Sequence, residues 1–137
     1  MLLAFAACLG LAGCGGGAKK IDAKALQKQA EEVESLATEG SLLAGDVAEG
    51  DTTSVFVRVH GDALGENAQK VLAKLAPDKA KPESGLAQKL DRASALARSV
   101  RADLAKLAES PSSQAAASLR GRLEHEAEEA KSLADSL

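Results

Sequence analysis

With 137 residues, 45% of them apolar, and a formal charge of −3, the chain has the size and apolar content of one domain with a core, not of a disordered tail. Lys and Arg are mixed among Asp and Glu, Trp and Tyr are absent and only two Phe occur, so no basic stripe with stacking aromatics is present and nucleic-acid binding is disfavoured. The 29 Ala and 20 Leu, against seven Val and one Ile, favour helix, because Ala and Leu lose little freedom there and β-branched residues lose more.

An uncharged apolar run extends from Leu2 to Ala12. Eleven residues rising ~1.5 Å each cannot cross a ~30 Å hydrocarbon core, so the run suits the apolar centre of a secretory signal. It leads into Leu11-Ala12-Gly13-Cys14. That string resembles the lipobox of bacterial lipoproteins, over the first 14 residues alone. The resemblance implies that residues 1–13 leave as a signal peptide. It also implies that the Cys14 sulfur takes a diacylglycerol and that the new N-terminus takes a further acyl chain such as palmitate. Two or more chains anchor stably where one does not. A signal would normally start with Lys or Arg, whereas Leu2 follows Met1 directly, so a start further upstream is expected.

On this reading Cys8 departs with the signal and Cys14 is capped, leaving neither a free thiol nor a disulfide. A metal site at the Cys pair is disfavoured, since no His or acid lies near it. Residues 14–21, with Gly15, Gly16 and Gly17 and then Lys19 and Lys20, read as a flexible tether of about 12–15 Å r.m.s. span. Its lysines would face anionic headgroups. The expected location is the exported side of the cell membrane or outer membrane. Gly15 in place of Asp after the cysteine implies, again by resemblance, that outer-membrane delivery is permitted.

Residues 22–137 read as four helical segments, approximately 22–49, 53–76, 85–109 and 111–136. In the first, Leu26, Val33, Leu36, Gly40, Leu43 and Val47 form a stripe interrupted by Gln29, and Asp22 suits the N-cap. Gly40 would let another helix approach. The second places Val57, Gly61, Leu64, Ala68, Val71 and Leu75 inward. A two-proline loop, 77–84, follows, with Ser84 expected to cap the third helix. There Leu86, Leu90, Ala93, Ala97, Val100, Leu104 and Leu107 form the stripe. Pro111 suits the first turn of the fourth helix. Its inward set is Ala116, Leu119, Leu123, Ala127, Ala130, Leu133 and Leu137, with Arg120–Glu124 and Arg122–Glu126 pairs on the outer face. The pattern predicts an all-α, antiparallel up-down-up-down four-helix bundle. The prolines at 77, 82 and 111 oppose the alternative, an extended coiled coil. Such a bundle sets Lys79 and Lys81 beside Lys19 and Lys20, at the membrane end.

The stretch Ser54–Gly61 is β-rich, but no partner strand is apparent, so helix is favoured. On a helix Val55, Phe56 and Val59 leave the stripe: either Phe56 plugs the end of the core, or an apolar patch is exposed as a partner contact. His60 and His125 lack the spacing of a metal-binding bundle, and no nucleophile, phosphate loop or haem motif stands out. No catalytic residue, metal ligand or cofactor is assigned. The expected function is that of a membrane-anchored, non-enzymatic interaction or structural domain, its partners the membrane and an envelope protein or a second copy. The alternative is a sensor or carrier with a small molecule or metal between its helices, which needs polar side chains converging on a cavity.

Overall fold

The computed structural model describes residues 18–137. The apolar run, the lipobox with Cys14 and the three glycines after it lie outside the described residues. Four helices dominate: α1 (Ala23–Glu49), α2 (Ser54–Leu75), α3 (Ala87–Ala108) and α4 (Ser113–Asp135). Two short strands, β1 (Lys19–Ile21) and β2 (Ala80–Pro82), pair in parallel, with Lys19 opposite Ala80, Lys20 opposite Lys81 and Ile21 opposite Pro82.

The helix ends follow from local chemistry. Asp22 Oδ1 accepts from the Ala25 amide at 2.7 Å and starts α1. Gly50 ends it in the left-handed conformation, φ 80°, which a residue without a Cβ adopts at little cost. The Thr53 hydroxyl accepts from the Phe56 amide and starts α2, so Ser54–Gly61 is helical. Ser112 caps α4 through the Ala115 amide, which leaves Pro111 just outside the helix instead of in its first turn. Ser84 does not cap α3. The chain turns through Gly85 at φ 85°, and α3 starts after Leu86 without a side-chain cap.

α1 packs most extensively on α4, and α2 on α3. α1 also meets α2 and α3, and α3 meets α4, so the helices share one core and do not form an extended coiled coil. Leu26, Leu75, Leu104, Leu107, Leu123 and Leu133 are its largest fully buried side chains. Each contributes roughly 1.5–3 kcal/mol. Two glycines admit close contacts. A Cβ on Gly40 would stand 2.5 Å from Leu104 Cδ2 and 3.3 Å from Leu123 Cδ1, so this notch receives leucines from α3 and α4. A Cβ on Gly61 would stand 2.9 Å from the Ala108 Cβ and 3.0 Å from its Cα, so α2 and α3 approach there almost backbone to backbone.

The strands alter the expected tether. Lys19–Ile21 belongs to the folded body: the Lys19 amide donates to the Lys79 carbonyl at 2.8 Å, and the Glu83 amide to the Ile21 carbonyl at 3.1 Å. Alternation turns Lys20 and Lys81 outward from the face that carries the buried Ile21 and Ala80; Lys19 shares that face but is exposed at the start of the strand. Lys20 and Lys81 stand opposite one another, a like-charge pairing that disfavours the ladder. Glu83 offsets this by holding Lys20 at 3.1 Å.

Candidate functional site

Three features of the described surface could carry function. The first is the start of α2. Val55 and Val59 are each 59% exposed and Phe56 is 47% exposed, so Phe56 does not plug the core. Its ring lies against the His60 imidazole, centroids 4.0 Å apart and tilted by 39°. The three side chains share one face because positions one, three and four apart lie on one side of a helix turn, while Val57 points inward. An exposed apolar cluster of this kind suits contact with an apolar surface.

The second feature is a polar network in the α3–α4 seam, built around Asp103 and Glu126, which the inward stripes read from the sequence did not include. Arg122 grips the Asp103 carboxylate with two bonds, Nε to Oδ2 at 2.7 Å and Nη2 to Oδ1 at 3.2 Å, and Lys106 Nζ adds a third contact at 3.0 Å. Arg122 therefore reaches across to α3 and does not pair with Glu126 along α4. Glu126 is itself buried and accepts from the Ser99 hydroxyl through Oε1, while Oε2 has no partner among the described residues. The expected Arg120–Glu124 pair does form, at 2.9 Å.

The surroundings move the two acids apart. Burial would raise the Asp103 carboxyl, but the hydrogen bonds from Arg122 and Lys106 outweigh it and hold the group below its ordinary value. Burial raises Glu126, and the Asp103 charge adds to this, against the opposing Ser99 bond and the Arg122 and His125 charges. His125 is exposed, as its position predicts. No three His, Cys, Asp or Glu side chains converge as a metal site among the described residues.

The third feature lies at the β1–β2 end. A cleft of about 540 Å³ opens between α1, α2 and β1, floored by Ile21, Ala25, Ala73 and Ala80 and rimmed by Lys19, Lys20, Lys74 and Lys79. Gln29 lines it from α1; its residue is only 8% exposed, and its Oε1 has no hydrogen-bond partner among the described residues. On the other side of β2, a groove of about 600 Å³ runs between α2 and α3 and carries Lys81, Arg98 and Arg101 at its edge. The lysine cluster thus forms as the sequence suggested, with β2 at its centre.

Gln29 was visible in the sequence as the interruption of the α1 stripe. Asp103 and Glu126 were hidden by apolar neighbours, although both occupy slots of a strict three–four alternation: 93, 96, 100, 103, 107 and 119, 123, 126, 130, 133. No described helix is long and apolar enough to cross a membrane. No family model, curated protein or solved structure matches the chain.

Proposed function

We propose that the chain is an envelope lipoprotein, cleaved after residue 13, lipidated at Cys14 and held on the exported side of a cell or outer membrane. Its helices run up-down-up-down and serve as a non-enzymatic interaction or structural module for an envelope protein or for a second copy. The observation that carries this reading is the position of β1. The strand begins five residues after the lipobox cysteine and pairs with β2, so Lys19, Lys20, Lys79 and Lys81 share the end of the bundle from which the anchor departs. Positive charge there matches an anionic bilayer, each residue near the surface contributing about 1 kcal/mol.

The proposed topology draws support from contacts at both ends. Lys89 Nζ donates to the Ser136 carbonyl, beside the β1–β2 end of α3. At the other end Arg120 pairs with Glu49 at 3.6 Å, and the Ser110 hydroxyl donates to the Ser54 carbonyl at 3.4 Å. The Val55–Phe56–Val59 patch would then face away from the membrane, where a partner can reach it.

Metabolic labelling with a fatty-acid analogue tests the reading, comparing the natural chain with Cys14→Ser. Label and membrane association are expected in the natural chain, with both lost in the variant. Label retained by Cys14→Ser, or a purified chain that keeps Met1 and an unmodified thiol, would refute it.

A further inference from the structure

We propose that the cleft between α1, α2 and β1 binds a single-chain anionic amphiphile: an acyl chain carrying a phosphate-type headgroup and a hydroxyl. The inference stands on the cleft itself and does not depend on lipidation of Cys14.

Each part of the cleft specifies a part of the ligand. Its volume, about 540 Å³, lies in the ~300–1,000 Å³ range of small-molecule sites. The floor is apolar and made mainly of short side chains: Ala25 of α1 and Ala73 of α2 each present only a methyl group to it, and Ile21 and Ala80 line it from the strands. A hydrocarbon chain covers such a floor and removes it from water. The rim is cationic, and no acid lines the cleft among the described residues. Lys74 and Lys20 are engaged by Glu32 and Glu83 at 3.0 and 3.1 Å. Lys79 has only a loose contact with Asp78 at 3.8 Å, and Lys19 makes no ion pair among the described residues. The hydrogen bond from the Lys19 amide to the Lys79 carbonyl sets the two backbones side by side at the cleft, so both side chains are within reach of one anion there.

Gln29 supplies the independent observation. A buried acceptor without a donor among the described residues is a standing cost; Oε1 is enclosed in the free protein, and a turn of the Gln29 amide toward the cleft it lines lets a ligand hydroxyl donate to it. An apolar chain alone leaves this oxygen unsatisfied, and an inorganic anion alone leaves the floor wet. A monoacyl glycerophospholipid satisfies all three: its chain covers the floor, its phosphate meets Lys19 and Lys79, and its free glycerol hydroxyl donates to Gln29.

Calorimetric titration of the full chain carrying Cys14→Ser tests this, with thermal unfolding recorded for every variant. The probes are lysophosphatidylglycerol below its micelle concentration, lysophosphatidylcholine with the same chain, and glycerol 3-phosphate. Binding of the anionic lysolipid is expected to be at least tenfold tighter than that of either other probe. Ala73→Phe, at an exposed helix position, should fill the cleft and abolish binding. Gln29→Leu should weaken binding about tenfold while raising the melting temperature of the free chain. If Ala73→Phe fails to fold, Lys79→Glu on the exposed turn serves instead and should weaken binding at least tenfold. Glycerol 3-phosphate binding as tightly as the lysolipid would reduce the cleft to a simple anion site and overturn the proposal. Equal affinity for the two lysolipids, or affinity unmoved by Ala73→Phe or Lys79→Glu, would overturn it as well.

Discussion

Asp103 and Glu126 show how far one side chain's surroundings decide its contribution. Both are buried in the α3–α4 seam, yet Asp103 is gripped by Arg122 and Lys106 while one Glu126 oxygen has no partner among the described residues. The folded-state value of Asp103 is depressed, so its stabilisation is present above the ordinary Asp range and disappears as pH falls through the lower, folded value. Glu126 is raised, so the folded state holds its proton more tightly than the unfolded chain does. Its effect has the opposite sign: stability declines as pH rises from the ordinary Glu range to the raised value, and the loss persists above it. Glu126→Gln keeps the shape and removes the charge. It should stabilise the protein by roughly 1 kcal/mol at pH 7, the order of cost of a half-satisfied buried group. Urea denaturation at pH 7 and pH 4.5 should show that advantage shrinking on acidification, while a gain equal at both values would mean that the charge of Glu126 is not what costs stability. Arg122→Ala has the reverse effect. It leaves Asp103 buried with Lys106 alone and should lower stability by about 1–2 kcal/mol at neutral pH, below the full cost of a broken buried pair because Arg122 is half exposed. The loss should narrow in acid as Asp103 protonates.

Between elements, spacing decides more than composition does. The α2 stripe read from the sequence, Val57, Gly61, Leu64, Ala68, Val71 and Leu75, is the buried set of that helix, because apolar side chains at three–four spacing can be hidden in only one way. Glycine is harder to read, since its role depends on what lies opposite. Gly61 faces the Ala108 backbone, which cannot move aside, so Gly61→Ala should destabilise by about 1–3 kcal/mol. Gly65, one turn further along, faces nothing within 4 Å among the described residues, and Gly65→Ala should stabilise by up to about 1 kcal/mol through helix propensity. Melting curves of the two single variants decide the matter, and a shared sign would refute the close approach of α2 and α3. The strands were not legible at all. Three residues carry no period, and Lys19-Lys20-Ile21 after a glycine run reads as linker. Only the arrival of Ala80–Pro82 alongside makes it a strand. That pairing depends on Ile21, which is buried beneath it. Ile21→Ala should therefore free β1 first. Hydrogen exchange at the Lys19 and Glu83 amides should accelerate at least tenfold while the centres of α1 and α4 keep their protection. Uniform loss across the helices would mean that the strands are integral to the bundle's global stability.

At the scale of the molecule the lysine cluster and the Val55–Phe56–Val59 patch lie at opposite ends of one helix, while Leu42, the most exposed large apolar side chain among the described residues, stands apart on α1. α2 runs from the Val55–Phe56–Val59 patch to Leu75, just before the lysine-bearing turn, and its 22 residues at ~1.5 Å each separate the two by about 30 Å. A bundle anchored through Cys14 and oriented by Lys19, Lys20, Lys79 and Lys81 would hold the patch that far above the headgroups, beyond the ~8 Å Debye length over which the bilayer's charge is felt. The two ends should then respond to different variables. A photo-crosslinking residue at Lys81 should capture lipid in anionic vesicles, weakly in neutral ones and less as salt rises, whereas one at Ser112 should capture none under any condition. Phe56→Ala should leave this pattern unchanged and cost less than about 1 kcal/mol of stability, because half of the ring is already in water. It should instead lose whatever protein copurifies from the same membranes. Lipid capture of equal strength from positions 81 and 112 would mean that the bundle lies flat on the bilayer. Its apolar patch would then be a membrane contact, and the separation of anchor from partner surface would fail.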